Sequence, residues 1–418
     1  MSSSTTVIAN GNGHESRDHV PGADLSSPAV LERVTRFELR GGTRRLMLAL
    51  LGLGLAGFVI GLVFAPSRAW ASLLLVSQYF VGLSLAGLFL VAVLYVSGAG
   101  WGVAIRRIPE SLALLLPLGL AGTFLVLLAG RTLYPWTTLE GEVAYAGFKG
   151  LWLNYGFWLL RAGVYAALWL GFAGVLLRHS REQDFDGEIW HTHRNARVSA
   201  AFLVVFALTC WLSSVDWVMS LEPDWYSTIF GVYNFSGQFC SGLACTIIVV
   251  AWLRGRGALS GIVTDEHFHD LGKLLLGFTT FWAYIWFSQY MLIWYANIPE
   301  ETSYYIPRVQ GTWGPLFLLN VGLNWVAPFF ALLPRGGKRN AYVLTRVAVV
   351  VLAGRWLDLY LMIYPSLSPA GPSLGPVELL LSLGGAGLFV LWLGRVLQRS
   401  ALVPLRDPYL QESLGYHQ

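Results

Sequence analysis

The sequence predicts an all-α integral membrane protein, and three observations carry that reading. Of 418 residues, 55% are hydrophobic and only 12% charged, too little polar surface to cover a soluble globule of this size. The apolar residues gather into ten continuous runs. Each has the length, about 20 residues, that lets a helix cross a hydrocarbon core of about 30 Å. The runs do not alternate, which argues against barrel strands. The Lys/Arg residues, finally, fall mainly into every second loop.

Taken in order, residues 1 to 43 read as a cytoplasmic tail. Its first 28 or so residues, rich in Ser, Thr, Asn and Gly, suit a disordered leader. A signal peptide is not expected, because the first apolar run lies behind this leader and is too long for an h-region. Val30 to Arg40 sets Leu31, Val34 and Phe37 beside Arg33, Arg36 and Arg40, the pattern of a helix lying on the inner membrane surface.

The spans of the membrane domain, residues 44–400, centre on Leu46–Phe64, Leu73–Val96, Ser111–Gly130, Leu151–Arg178, Ala196–Trp217, Trp225–Leu253, Leu271–Ala296, Thr312–Leu333, Ala341–Tyr364 and Gly375–Leu397. Residues 401–418 read as a second cytoplasmic tail. Tyr79, Gly82, Ser84 and Gly87 in the second span echo Tyr233, Gly237, Ser241 and Gly242 in the sixth. Either a four-helix repeat, spans 2 to 5 matching 6 to 9, or ordinary small-residue helix packing explains the echo.

With the N-terminus inside, only Arg68, Arg131, Lys149 and Arg308 fall on the outer side, and Arg161 and Arg355 fall within spans. The remainder of the 28 basic residues lie on the inner side, which places both termini on the cytoplasmic side of the membrane. The net charge of +4 reports this topology and carries no sign of nucleic-acid binding.

Cofactor signals point away from this chain. Cys210, Cys240 and Cys245 lie in spans without CxxC or CxxCH spacing, giving no signal for zinc, an iron–sulfur cluster or covalent haem. Every histidine is expected in a tail or a cytoplasmic loop, away from the membrane depth where haem b needs its axial ligands. His191 and His193, two residues apart on a polar loop, read as solvated surface rather than a metal pair.

Polar residues inside the spans need partners, since a charge at the bilayer centre costs at least about 2.5 to 3.5 kcal/mol. At a rise of about 1.5 Å per residue, Asp216, Gln289, Arg355, Asp358 and Glu378 fall in the outer half, with Gln78 near an outer helix end. Arg161, Asn234, Gln238, Asn320 and Asn324 fall nearer the middle. Arg355 and Asp358, three apart on one helix face, form either a self-compensating pair or a step of a proton path. Arg161 has no partner in its own span and needs a tertiary one: Glu140, Glu142 or Asp216. Glu378 opens the last span and reads as an N-terminal cap.

Two motifs stand out. In SSVDWVMSLEPDWYSTIFGVYNFSGQFCSG, from Ser213 to Gly242, Asp216 is bordered by Trp211, Trp217, Trp225, Tyr226 and Tyr233. Such a carboxylate can take a proton from a hydroquinone or pass one outward, while the aromatics offer flat surface to a ring or simply form an interfacial belt. Glu222 and Asp224 read as caps of the sixth span. FWAYIWFSQYMLIWYANIPEE adds Gln289, Glu300 and Glu301, completing an acidic rim suited to proton exit or to docking a periplasmic subunit.

These two motifs and the RWLDLY segment resemble the F subunits of bacterial alternative complex III, within the NrfD-like, polysulfide-reductase-type membrane family. The resemblance runs over nearly all ten spans. It implies two four-helix bundles, spans 2–5 and 6–9, flanked by helices 1 and 10. It also implies a quinol:acceptor oxidoreductase whose iron–sulfur protein, multihaem cytochrome c and sister NrfD-like subunit hold the redox groups, with this chain binding none. In the sister C subunits the corresponding motif typically reads GWHSTIFPPY. Here Tyr226 stands in place of the histidine and Gly231 and Val232 in place of the prolines, which favours a proton-conducting or structural role.

The expectation is therefore a cofactor-free subunit of a respiratory or photosynthetic electron-transfer complex. Its proton path draws on Asp216, Arg355, Asp358, Arg161, Glu222, Asp224, Gln289 and Glu300. Menaquinone or another quinone from the quinol pool is left open as a ligand at Trp225, Tyr226 and Tyr233, beside surrounding lipids. The alternatives are a pure scaffold, a second quinone-binding subunit or, less in keeping with prolines placed mainly at span ends, a secondary transporter.

Overall fold

The computed structural model describes residues 28–35, 37–137 and 145–417. The expected disordered leader, Arg36, Glu140 and Glu142 lie outside the described residues. All regular structure among the described residues is helical, as it must be where no water can satisfy backbone groups in hydrocarbon.

In chain order the helices are α1 (Pro28–Thr35), α2 (Gly41–Phe64), α3 (Pro66–Val96), α4 (Arg107–Ala113), α5 (Leu116–Ala129), α6 (Gly147–Trp152), α7 (Tyr155–Asp186), α8 (Ile189–Trp217) and α9 (Phe230–Gly255). They continue with α10 (Asp265–Ala296), α11 (Pro299–Thr302), α12 (Tyr305–Val309), α13 (Gly314–Val321), α14 (Ala327–Leu332), α15 (Arg335–Arg339), α16 (Ala341–Ile363), α17 (Pro376–Leu397) and α18 (Leu410–Leu414).

Eight segments among the described residues are long and apolar enough to cross a membrane: α2, α3, α4 with α5, α7, α8, α9, the stretch Gly311–Leu332, and α17. The expected seventh and ninth spans are the helices α10 and α16, of 32 and 23 residues. Both fall short in apolarity. The first opens on Asp265, Glu266, His267, His269 and Asp270, and the second carries Arg346, Arg355 and Asp358.

Two helices form the middle of the molecule. In α9 83% of the apolar window is buried and in α3 78%, against 17% in α2 at the edge. Helix α9 packs on α3, α8, α10 and α16. At the α3–α9 crossing a Cβ on Gly242 would lie 2.3 Å from Ala86 Cβ, and one on Gly82 3.0 Å from Gln238 Cγ. Of the echoed glycines, Gly82 and Gly242 thus lie where the two central helices touch, whereas Gly87 faces α4 and Gly237 faces α16. The perimeter is apolar and open, with Leu55, Val63, Leu208 and Phe330 all more than half exposed.

Breaks in the helices have local causes. Pro117 cannot donate to the preceding turn, so the third span splits into α4 and α5, and Trp392 Nε1 donates to the carbonyl of Leu114 at 3.0 Å. Between α13 and α14 the chain forms a π-helical turn, Gly322–Val326, just ahead of Pro328. The wider turn accommodates the proline ring, which would otherwise press on the carbonyl four residues back.

Two expectations about the tails change. The surface helix ends at Thr35 rather than Arg40, and its Val34 is fully buried, with its carbonyl accepting from Leu402 N at 2.9 Å. It packs on protein because residues 401–417 fold back as a strap. Val403 and Ser413 are fully buried, Arg106 Nη2 donates to Asp407 Oδ2 at 2.6 Å, and Ser413 Oγ accepts from Ala104 N at 3.0 Å.

Candidate functional site: buried arginine–carboxylate networks

Two ends of the helix layer can be told apart by their contacts, and they are named here for Glu222 and Arg107. Near the Glu222 end, α7 presents Arg161 and α8 presents Asp216, both buried. Arg161 Nε donates to Asp216 Oδ2 at 2.9 Å and Nη2 to Oδ1 at 2.8 Å, a two-pronged pair. Tyr165 adds a hydroxyl donor to Oδ2 at 2.9 Å, and the Arg161 guanidinium lies 3.9 Å from the Trp152 ring centre. Of the three partners expected for Arg161, Asp216 is paired with it, and Glu140 and Glu142 lie outside the described residues. Arg161 Nη1 has no hydrogen-bond partner among the described residues.

The second network joins four elements around Asp358, which is fully buried on α16. Arg355 Nη1 donates to Asp358 Oδ2 at 2.7 Å across one helical turn. Tyr233 of α9 donates its hydroxyl to Oδ1, Asn320 Nδ2 of α13 donates to the same oxygen at 3.0 Å, and Trp282 Nε1 of α10 reaches Oδ2 at 3.4 Å. Arg355 Nη2 also donates to Asn234 Oδ1, and Asn234 Nδ2 donates to Ser214 Oγ at 2.9 Å. In the π turn, Asn324 Nδ2 reaches Asn320 Oδ1 at 2.7 Å and its carbonyl at 3.0 Å.

Glycines make room for this cluster. A Cβ on Gly237 would sit 2.5 Å from Arg355 Nη1, and one on Gly354 2.8 Å from the Asn324 amide. The charges are compensated and four separate elements converge on one carboxylate, which is what low-dielectric surroundings require.

Above Asp358, toward the Glu222 end, lies a cavity of about 20 Å³ lined by Tyr233, Tyr305, Arg308, Asn320 and neighbouring apolar groups. That is room for one water molecule. Arg308 is buried there, donating from Nε to the carbonyl of Leu361 at 2.9 Å, from Nη1 to that of Tyr304 at 2.6 Å and from Nη2 to Glu222 Oε1 at 2.7 Å. The Glu222 side chain is 25% exposed. Asp358, Tyr233, the cavity, Arg308 and Glu222 therefore follow one another from the interior to the surface.

The remaining predicted residues are placed differently. Neither Glu222 nor Asp224 caps the sixth span: α9 begins at Phe230, and the chain between takes a 3-10 turn and a loop. That loop is held by Trp211 Nε1 donating to the Thr228 carbonyl at 2.7 Å and by Gln289 Nε2 donating to Ser227 Oγ at 2.9 Å. Asp224 is exposed and pairs with Lys149 at 3.0 Å. Nearby, burial pushes the Tyr145 phenol up, with Asp224 adding to it. Glu300 is exposed on α11.

The three ring candidates are not brought together. Trp225 is buried, stacked on Tyr304 with centroids 3.9 Å apart. Tyr226 is 72% exposed, and Tyr233 is committed to Asp358. A larger apolar cleft of about 250 Å³, among Tyr79, Cys245, Trp356 and Phe389, is lined by none of the three.

Glu378 does cap α17, accepting from Gly375 N at 2.9 Å, and also takes Arg68 at 2.7 Å on each oxygen. Sequence reasoning did not single out Arg308, though a lone arginine among acidic and aromatic residues was its signal. It also missed the buried cluster at the opposite end. There Arg107 Nη1 donates to Glu110 Oε2 at 2.8 Å, Ser180 Oγ donates to Oε1 at 2.6 Å, and Arg107 also reaches Asp184. The spacing of Arg107 and Glu110, one helical turn, was readable.

The five histidines expected in cytoplasmic loops lie in helices instead, because α7, α8 and α10 run on past their apolar stretches, while His14 and His19 lie outside the described residues. His179 lies about two turns before the end of α7, His191 and His193 open α8, and His267 and His269 lie in the buried start of α10. His193 is exposed, and the close neighbour of His191 is His179.

No protein-family model matches this chain, and no curated protein does either.

Proposed function

We propose that this chain is a cofactor-free membrane subunit of a quinol:acceptor oxidoreductase of the alternative complex III type. In this reading it contributes a proton path whose outward half runs through Asp358. The observation that carries it is the succession Asp358, Tyr233, one-water cavity, Arg308 and Glu222, leading from a fully buried carboxylate to a partly exposed one. The Tyr233 oxygen accepts the proton of a protonated Asp358 while releasing its own hydroxyl proton to water in the cavity, so that Tyr233 stays neutral throughout. The released proton then moves through water to Glu222, while Arg355 and Arg308 hold the two ends electrostatically.

The sequence motifs supply the rest of the proposal. The ten helical rods span a bacterial inner membrane as two four-helix bundles with flanking helices, both termini are cytoplasmic, and the Glu222 end is periplasmic. Iron–sulfur, multihaem cytochrome and sister subunits carry the electrons. Asp216 with Arg161 forms a second ionic site on the same side.

A scaffold reading is favoured by one observation, the complete pairing of each buried membrane carboxylate with an arginine. The two are separated by making Asp358→Asn and Asp216→Asn in the intact complex. Lowered proton release per quinol with assembly preserved supports conduction. Wild-type turnover and proton yield in both leave only the scaffold. Haem and iron–sulfur proteins co-purifying with the chain test the assignment to a complex independently.

A further inference from the structure

At the Arg107 end, α7 and α8 are joined by a tight turn in which Gly187 adopts φ 72°, and this turn folds His191 back onto the last turn of α7. His179 Nδ1 and His191 Nδ1 lie 3.2 Å apart, and Glu182 Oε2 lies 3.5 Å from His179 Nδ1. All three ligand atoms fall within 4.8 Å of one another. A tetrahedral zinc ion with Zn–N bonds of about 2.0–2.1 Å sets its ligand atoms about 3.3 Å apart, close to the two shorter separations seen here.

The surroundings fit the same chemistry. His191 Nε2 lies 2.8 Å from Asp186 Oδ2, and Asp186 Oδ1 accepts from Glu188 N at 3.0 Å. A carboxylate on the far nitrogen fixes the imidazole as the tautomer protonated there and turns its Nδ1 lone pair toward His179, the arrangement that orients metal-bound histidines. Arg178 holds only Oε1 of Glu182, at 2.7 Å, leaving Oε2 free to bind. The Trp190 ring stands edge-on to both imidazoles, 5.3 and 5.0 Å away, and shields one side. His191 is 7% exposed in its side chain, His179 13% and Glu182 39%, so the site is walled within the protein and open on its carboxylate side.

We propose that His179, Glu182 and His191 form a binding site for one divalent cation of the zinc class, stapling the α7–α8 hairpin. Two imidazoles and one carboxylate select borderline metals over calcium or magnesium. Three protein ligands leave a fourth position for water or for a side chain of another subunit. This inference is independent of the proton path, which lies at the opposite end of the helices.

The test uses the full chain in detergent, stripped with chelator and titrated with Zn²⁺, and with Co²⁺ as a spectroscopic probe. One equivalent of zinc should bind, Co²⁺ should give the intense visible absorption of a tetrahedral site, and the melting temperature should rise with zinc. His191→Gln and His179→Gln should abolish all three. Asp186→Asn should weaken binding about 10–100-fold, and His193→Gln should leave it unchanged. Stoichiometric zinc binding retained in both His179→Gln and His191→Gln would overturn the proposal. So would a weak, octahedral Co²⁺ spectrum, or no zinc bound by the natively folded chain, in which case the two imidazoles simply share a proton.

Discussion

Arg161 and Asp216 face each other from adjacent helices with two parallel N–H···O bonds, 2.9 and 2.8 Å long, both buried near the Glu222 end of the helix layer. Removing one member of such a pair strands the other, whereas replacing both by apolar groups of similar size need cost nothing. Asp216→Asn is therefore expected to destabilise the chain by about 3–5 kcal/mol. The double variant Arg161→Met/Asp216→Leu should recover most of that loss. Detergent unfolding measures both, and a double variant no more stable than the single one refutes the compensation argument.

Tyr233 is the link between Asp358 and the cavity. Tyr233→Phe removes one hydroxyl from a carboxylate that keeps Arg355, Asn320 and Trp282. A hydrogen bond to a charged group contributes about 1.5–3 kcal/mol, so the fold should survive while proton release slows. Time-resolved pH indicator measurements on the proposed complex give the answer, and an unchanged release rate removes Tyr233 from the proposed path.

Gly237 has no space for a methyl group. In Gly237→Ala the new carbon meets Arg355 Nη1 at 2.5 Å and Asp358 Oδ2 at 3.0 Å, so the pair must shift. The expected cost is about 1–3 kcal/mol, with turnover falling alongside. An alanine variant as stable as wild type would mean that the ion pair is free to move.

Glu222 and Asp224 lie two residues apart but should behave differently. Glu222 receives Arg308, which lines the cavity, whereas Asp224 lies exposed beside Lys149 and Tyr145. Exposed pairs contribute little. Glu222→Gln should reduce proton yield and Asp224→Asn should leave both yield and melting temperature at wild-type values. Equal effects of the two substitutions would point to a diffuse acidic rim rather than a defined exit.

The helices were legible because an apolar run of this length has only one backbone solution in hydrocarbon. Arg355 with Asp358 was legible too, being one turn apart. The partner of Arg161 was not, since Asp216 is 55 residues away and nothing local selects it over Glu140 or Glu142. The start of α9 was misplaced because Trp225 and Tyr226 continue the apolar run in composition, although the first stacks on Tyr304 and the second faces outward. His179 and His191, 12 residues apart, meet only through the bend at Gly187, which no pairwise spacing rule anticipates. The one-water cavity has contributions from α9, α10, α12, α13 and α16 and leaves no mark on any one of them.

The edge helix α2 leans on α17, where a Cβ on Gly54 would meet Gly384 Cα at 2.5 Å and one on Gly387 the Met47 carbonyl at 2.7 Å. Backbone contact this close means that the glycine face of α2 stays uncovered until α17, far along the chain, has been made. A product truncated before α17 therefore exposes a bare glycine face on α2.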